Sequence, residues 1–555
     1  MRGMLLVFYY TYSVQLIGGH RNNANPRVTT PLGNIEGSLI QSLLGKSIYA
    51  FRGIRYAKPP VGELRFQPPV AVENWSGVYN ATNDGPMCPQ PILRPISEDC
   101  LYLNIYTTKL PGLRYNPKRP VLFFIHPGGF YSMSSASNSF GPQYLLDRNI
   151  VLVTINYRLG SLGFMSTGDE WAPGNNGLKD QVIALKFVKH NIASFGGDPN
   201  LVTIVGYSAG AVSVAAHLVS PMSQGLFHRA IVMSCSSFNQ WPMGNHHFNL
   251  AQKQARLVGC PDDTSENIIT CLKTKSAEEI GDSLGGFSEY GSDPVIIWNA
   301  VIELDFGHER FLTEHPIRSV LKGKFQKVPV MTGVTTEEFS VFAINVFQSE
   351  KLLLEMDKEF GRVAPIAFIY ERNTTRSRHI SRELKKEFLG MGSLTVSAFK
   401  GVGYLYADGI VGFGVNRGAK LLSTKNTEHT YYYNFSYQGR YSYSKLPNIT
   451  VSYGVVHMDD LMYLFYISSQ FPKFKITDDE YQMVKKYTTL FTNFAYTGNP
   501  TPFESYTLDG ANWIPFTMEN NKYMDIGRKL KMRENLFRDR YSVWEKLFPL
   551  SDYEN

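Results

Sequence analysis

The residues with the clearest chemistry are Gly206-Tyr207-Ser208-Ala209-Gly210. A serine with glycine two places to either side becomes a nucleophile when its flanks make a strand, a sharp turn and a helix, because the turn holds the hydroxyl strained and exposed. The flanks here have that character. Leu201-Val202-Thr203-Ile204-Val205 is rich in β-branched residues and reads as a strand, while Ala211-Val212-Ser213-Val214-Ala215-Ala216-His217-Leu218 is small and apolar and reads as a buried helix. Acyl transfer also needs backbone N–H groups aimed at the negative oxygen of a tetrahedral intermediate, and glycine allows the closest approach. Gly128 and Gly129 follow the apolar run Pro120-Val121-Leu122-Phe123-Phe124-Ile125-His126 and can supply two donors, with Ala209 as a third. A phosphate-cradling loop is the rival reading, but the Lys-Ser/Thr that it requires is missing.

A serine hydroxyl is a poor nucleophile until a histidine takes its proton, and a carboxylate must fix the imidazole's tautomer and balance its charge. The acidic pair Glu337-Glu338 follows the strand-like Val328-Pro329-Val330-Met331-Thr332-Gly333-Val334, at the end where sheet enzymes place their sites. The residues alone leave both members open. Twelve histidines compete for the base. His457 stands in the short loop Gly454-Val455-Val456-His457-Met458-Asp459-Asp460, before the helix-like Leu461-Met462-Tyr463-Leu464-Phe465. The pair His246-His247 suggests a metal only superficially: HExxH is absent and no third ligand is evident, so both read as surface residues. A histidine base predicts activity that falls as pH drops through about 6.5, the value of an unperturbed imidazole.

The elements that must position these groups alternate. The strand-like run Ile150-Val151-Leu152-Val153-Thr154-Ile155-Asn156-Tyr157-Arg158 leads through a glycine-rich loop to a helical stretch around residues 180–188, and Phe195-Gly196-Gly197-Asp198-Pro199-Asn200 turns the chain into the nucleophile strand. Strands separated by helices predict an α/β chain with a large, mostly parallel, doubly wound sheet. Residues 31–56 alternate short apolar runs with turns and predict a small antiparallel region ahead of it.

The chain has 555 residues, 43% of them hydrophobic, and a net charge of +7 thinly spread over that length. The densest basic stretch, Arg528-Lys529-Leu530-Lys531-Met532-Arg533, reads as a solvated helix face, which argues against a nucleic-acid partner. No linker, repeat or low-complexity tract divides the chain. Residues 1–19, basic at Arg2 and then apolar, have a signal-peptide layout with cleavage between 13 and 20, and no later run suits a membrane anchor. Five cysteines fit an oxidising compartment: by spacing Cys88 and Cys100 could close one loop, Cys260 and Cys271 another, with Cys235 left over. Sequons at Asn74, Asn80, Asn373, Asn434 and Asn448 are glycosylation candidates.

These motifs, together with Glu98-Asp99-Cys100-Leu101-Tyr102-Leu103-Asn104, Asn156-Tyr157-Arg158-Leu159-Gly160-Ser161-Leu162-Gly163-Phe164, Asp180-Gln181 and Thr492-Asn493-Phe494-Ala495-Tyr496-Thr497-Gly498-Asn499-Pro500, resemble the type-B carboxylesterases of the carboxylesterase and cholinesterase family, including insect esterases. The resemblance implies an α/β-hydrolase fold over residues 20–555 and a triad of Ser208, Glu338 and His457. It implies an oxyanion hole at Gly128, Gly129 and Ala209 and supports the two disulfides. It implies no metal or organic cofactor, a small-molecule ester as partner, and a secreted monomer or homodimer. An apolar pocket is expected from Phe130, Tyr207, Trp241 and Trp298, with Phe339 and Phe342 nearby. Several residues depart from the family pattern. Phe339 stands where a glycine usually follows the acid, Pro127 replaces the first of three oxyanion-loop glycines, and Tyr207 stands where cholinesterases carry glutamate and juvenile hormone esterases glutamine. The loop between Cys88 and Cys100 lacks the aromatic residue that binds choline and carries Arg94 instead, so choline esters are disfavoured. A rival of another class is a catalytically dead adhesion protein on the same fold.

Overall fold

The computed structural model describes residues 25–91, 93–444 and 453–554, so the signal-peptide reading and the sequon at Asn448 lie outside the described residues. Strands β1 (Arg27–Thr30) and β2 (Gly33–Glu36) form an antiparallel hairpin. Strands β3 (Ser38–Gln41) and β4 (Ser47–Arg55) pair antiparallel at one edge of the main sheet, and β5 (Val78–Asn80) returns to lie parallel to β2. The small N-terminal sheet is therefore mixed. The long connection from β2 to β5 is what allows a parallel pairing that a tight hairpin could not make.

The main sheet continues with β6 (Tyr102–Thr107), β7 (Arg119–Ile125), β8 (Val151–Ile155), β9 (Gly197–Tyr207), β10 (Arg229–Met233), β11 (Val330–Thr335), β12 (Thr430–Phe435), β13 (Lys522–Ile526) and β14 (Leu530–Glu534). Its eleven strands run in the order β14-β13-β12-β11-β10-β9-β7-β8-β6-β4-β3. Every neighbouring pair from β8 to β13 is parallel, and the edges are antiparallel. The central strands are buried almost throughout, as parallel strands covered on both faces must be. Along β9 the side chains alternate between two cores. Val202 and Ile204 pack on the face that carries helices Asn176–Asn191 and Ala209–Val219, whereas Val205 and Tyr207 pack with Tyr487, Leu490 and Phe494 of helix Glu480–Thr497. The parallel pairing places the C-terminal ends of β7, β9, β10 and β11 at one rim, where crevices of parallel sheets form.

Two elements differ from the sequence expectation. The basic stretch at 528–533 is no helix face but the turn and most of the second strand of the edge hairpin β13–β14, where Arg533 Nε pairs with Asp525 at 2.8 Å and charge blunts an open sheet edge. Residues 197–200 already belong to β9, so the turn before it narrows to Gly196 at φ +84°. Disulfides join Cys88 to Cys100 and Cys260 to Cys271, leaving Cys235 free and buried.

Candidate active site

Ser208 sits between β9 and helix Ala209–Val219 with φ +55° and ψ −120°, a conformation that L-residues rarely adopt. The glycines make it possible. A Cβ on Gly206 would overlap the Gly210 carbonyl, and one on Gly210 would overlap the Ile125 carbonyl at the end of β7. The elbow is thus pressed against the strand that leads into Gly128 and Gly129, and sequence segments more than 70 residues apart meet there.

The loop after β7 holds Gly128 at φ +115° and Gly129 at φ +60°. Its carbonyls are turned away: that of Gly128 accepts from the Tyr131 and Ser132 N–H groups, each at 2.9 Å, and from Ser132 Oγ at 3.1 Å. Among the described residues the N–H groups of Gly128, Gly129 and Ala209 donate to no protein acceptor, the state an oxyanion hole requires. Pro127 needs no N–H here. The loop is anchored by the buried His126, whose Nδ1 donates to the Pro127 carbonyl at 2.6 Å and whose ring stacks on Tyr157 at 4.4 Å. Burial pushes this imidazole down to about 4 against the pull of that carbonyl, so His126 is neutral and structural.

His457 and Glu338 are brought together: Nδ1 lies 2.6 Å from Oε2, with both side chains almost fully enclosed. Backbone bonds zip the two segments, Glu337 N–H to the Val455 carbonyl at 2.9 Å and His457 N–H to the Glu338 carbonyl at 3.1 Å. The other Glu338 oxygen accepts from the Thr335 N–H at 2.7 Å. Glu337 turns away, where its carboxylate accepts from Ser340 Oγ at 3.2 Å and burial raises its pKa. Among the described residues no hydrogen bond joins the Ser208 hydroxyl to the imidazole; in unliganded sites such contacts are often long and tighten with substrate.

Several residues around the histidine were not singled out from the sequence. Asp459 pins the loop by accepting from Ser442 Oγ (2.7 Å), Tyr443 N–H (2.8 Å) and Val456 N–H (3.0 Å). Asp460 is buried and accepts from the Tyr487 hydroxyl at 3.0 Å; burial, and then the Glu338 charge, push its carboxyl up to about 7 against hydrogen bonds from Tyr207 and Tyr487. Asp460 completes a Gly-x-x-His-x-x-Asp spacing from Gly454 through His457 that insect esterases share, though no role followed from it, and Asp459 carried no signal beyond adjacency to His457.

The pocket candidates divide. Phe130 is fully enclosed, packing on Phe164 at 4.6 Å, and Tyr207 is equally buried, its hydroxyl accepting the Met458 N–H at 2.7 Å. The Phe130 ring and the Tyr207 hydroxyl are thus each engaged by protein partners. Trp241 is bonded to the Gly409 carbonyl at 3.3 Å, and Trp298 lines a cavity of about 20 Å³ with Tyr131. Phe339 lies on His457 itself, with ring centroids 4.2 Å apart. Arg94 is held by Asp282 at 2.7 Å, so its charge is neutralised at the surface. His246 is exposed, and His247 bonds the Phe164 carbonyl at 3.3 Å. Burial pushes the Cys235 thiol up to about 12, which makes it inert. Asn74, Asn80 and Asn373 are exposed, but Asn434 is buried inside β12 with its amide bonded to Thr336 at 3.3 Å, which closes that sequon to a glycan on the folded protein.

The carboxylesterase family model matches residues 24–544. The chain belongs to the carboxylesterase family. It is 35% identical to a juvenile hormone esterase of Tribolium castaneum, with 92% of this chain and 90% of that protein covered. It is 36% identical to esterase FE4 of Myzus persicae, covering 88% and 86%. The crystal structure of a juvenile hormone esterase from Manduca sexta, with OTFP covalently attached, superposes with a TM-score of 0.84 at 28% identity, over 94% of this chain and 99% of that one. The fold is accordingly that of an α/β-hydrolase, and the carboxylesterase is a carboxylic ester hydrolase acting on small-molecule esters. No helix among the described residues is long and apolar enough to cross a membrane.

Proposed function

We propose that this carboxylesterase hydrolyses esters of uncharged or apolar alcohols through an acyl-enzyme on Ser208. The observation that carries the reading is the Glu338–His457 hydrogen bond at 2.6 Å, set at the same sheet rim as a strained serine. His457 takes the Ser208 proton as Oγ attacks the ester carbon, and the carbonyl oxygen becomes an oxyanion held by the N–H groups of Gly128, Gly129 and Ala209. The imidazolium returns the proton to the departing alkoxide, which leaves as the alcohol. Water then attacks the acyl-serine with the same base, releasing the acid and restoring Ser208. Glu338 accepts from Nδ1 throughout and balances the imidazolium.

The preference for uncharged alcohols is supported by a first disulfide loop that has no aromatic residue and whose Arg94 is tied to Asp282. Residues 1–19 support secretion, with 20–555 as the mature catalytic domain, and the two disulfides fit that compartment. Two of the similar proteins are juvenile hormone esterases, which favours a hormone-clearing role as the second reading. The test is the intact mass before and after a fluorophosphonate probe, beside Ser208→Ala. One adduct on the wild type and none on the variant is expected. A folded wild type that takes no adduct would sink the reading in favour of a non-catalytic binding protein. An ester panel that varies acyl and alcohol size separately, with juvenile hormone included, decides between the two catalytic readings.

A further inference from the structure

The geometry points to an aromatic clamp on His457, in which Phe339 and Tyr207 act as positioning residues that hold the imidazole and stabilise its charged form. The Phe339 ring lies 4.2 Å from the imidazole with planes 33° apart, and the Tyr207 ring lies 5.0 Å away at 57°. The two reach His457 from different sides: Tyr207 belongs to the core on the Glu480–Thr497 face of the sheet, and Phe339 packs against the core on the other face. Each ring is itself fixed. Phe342 meets Phe339 edge-on at 5.3 Å and is backed by Tyr406 at 5.5 Å, while the Tyr207 hydroxyl holds the Met458 N–H.

The clamp deepens the hydrolase reading, on which it rests for the charged state of the imidazole. Of the ionisable groups around His457, Glu338 bonds Nδ1, Asp459 is spent on Ser442, Tyr443 and Val456, Glu337 turns to Ser340, and Asp460 faces Tyr487 and Tyr207, with Tyr433 behind Tyr487. The one anionic oxygen bonded to the ring lies in its plane, at Nδ1. The Phe339 ring comes nearest to lying flat on the imidazole and the Tyr207 ring meets it at a steeper tilt, and a cation close to an aromatic ring face is attracted to it, more strongly where water is excluded. The developing imidazolium is therefore stabilised on its edge by Glu338 and by the two rings beside it.

The decisive variant is Phe339→Leu, which keeps the bulk and the exclusion of water but removes the π face. Two readouts are taken on the full chain: the acid limb of kcat/KM, and the His457 imidazole titration followed by NMR with labelled histidine. Phe339→Leu is expected to move both midpoints about half a unit to one unit toward lower pH and to lower kcat about 3- to 10-fold, because the imidazolium loses a partner. Phe339→Tyr restores both. Tyr207→Phe keeps its ring but frees both the Met458 N–H and the Asp460 carboxyl, so its midpoint moves by less than that of Phe339→Leu while activity falls. A Phe339→Leu enzyme that titrates like the wild type overturns the clamp and leaves Phe339 as filler. If Leu does not fold, Phe339→Met carries the same prediction. A wild type that hydrolyses no ester defeats the hydrolase reading instead, while the NMR titration still tests the clamp.

Discussion

The serine half and the histidine half of this site are built from different materials. Around Ser208 the work is done by backbone: glycines that permit close approach at 206 and 210, positive φ at Gly128 and Gly129, and N–H groups with no acceptor among the described residues. Around His457 it is done by side chains from separate segments, with Glu338 and Phe339 after β11, Tyr207 at the end of β9, Asp459 and Asp460 in the loop itself, and Tyr487 on a distant helix. The first half should break when atoms are added to it. The second should break when atoms or charges are removed.

The largest effect is expected from Glu338→Gln. Its amide cannot balance the imidazolium, so kcat should fall about 10³- to 10⁴-fold, while the stability of the protein changes little. Glu337→Gln serves as the internal comparison, because that carboxylate points to Ser340 and not to the imidazole. It should stay within about 3-fold of wild type, and steady-state kinetics on one chromogenic ester decides the pair. Equal losses would show that the two acids share the role.

On the serine side, Gly128→Ala is the corresponding probe. The new Cβ would overlap the Ser132 carbonyl at a φ of +115°, so the loop must shift and its donors lose their aim. A loss of about 10²- to 10³-fold in kcat is expected, with the fluorophosphonate still able to label Ser208, only more slowly. Because this half is held by uncharged backbone, the loss should be the same at every pH. A loss that grows toward acid would show that the two halves are not separable.

The same division explains what the sequence made legible. Backbone requirements leave local marks: Gly206 and Gly210 around a serine, Gly128 and Gly129 after an apolar run, and β-branched strands that need burial on both faces. Side-chain partnerships across the fold leave almost none. Phe339 could be seen to depart from the family's glycine, yet nothing local showed that its ring would lie on the imidazole. Tyr207 and Phe130 are expected as pocket lining, and nothing local showed that the Tyr207 hydroxyl would hold the Met458 N–H or that the Phe130 ring would pack on Phe164. The stretch at 528–533 differs, because the helix reading follows its density of charge, whereas the alternation Lys529-Leu530-Lys531-Met532-Arg533 has the two-residue period of the strand that pairs with β13.

The smallest effect on activity, and the sharpest test of the charged half, comes from Asp460→Asn. In the folded protein the Asp460 carboxyl is pushed up to about 7, first by burial and then by the Glu338 charge. In the unfolded chain it returns to about 3.9. Between those values the unfolded chain has released this proton and the native one retains it, so the native state loses stability as pH rises through the window from about 4 to 7. Asparagine cannot ionise, and its amide oxygen can still accept from the Tyr487 hydroxyl. The variant should therefore gain on the wild type as pH rises, with the difference in thermal midpoint growing from pH 4 to pH 8 and activity within about 3-fold. Gly128→Ala carries no such group, so its difference from wild type should be flat over the same range. If the Asp460→Asn difference is flat as well, the native carboxyl titrates like an exposed one, and charge is no longer what distinguishes the histidine half from the serine half.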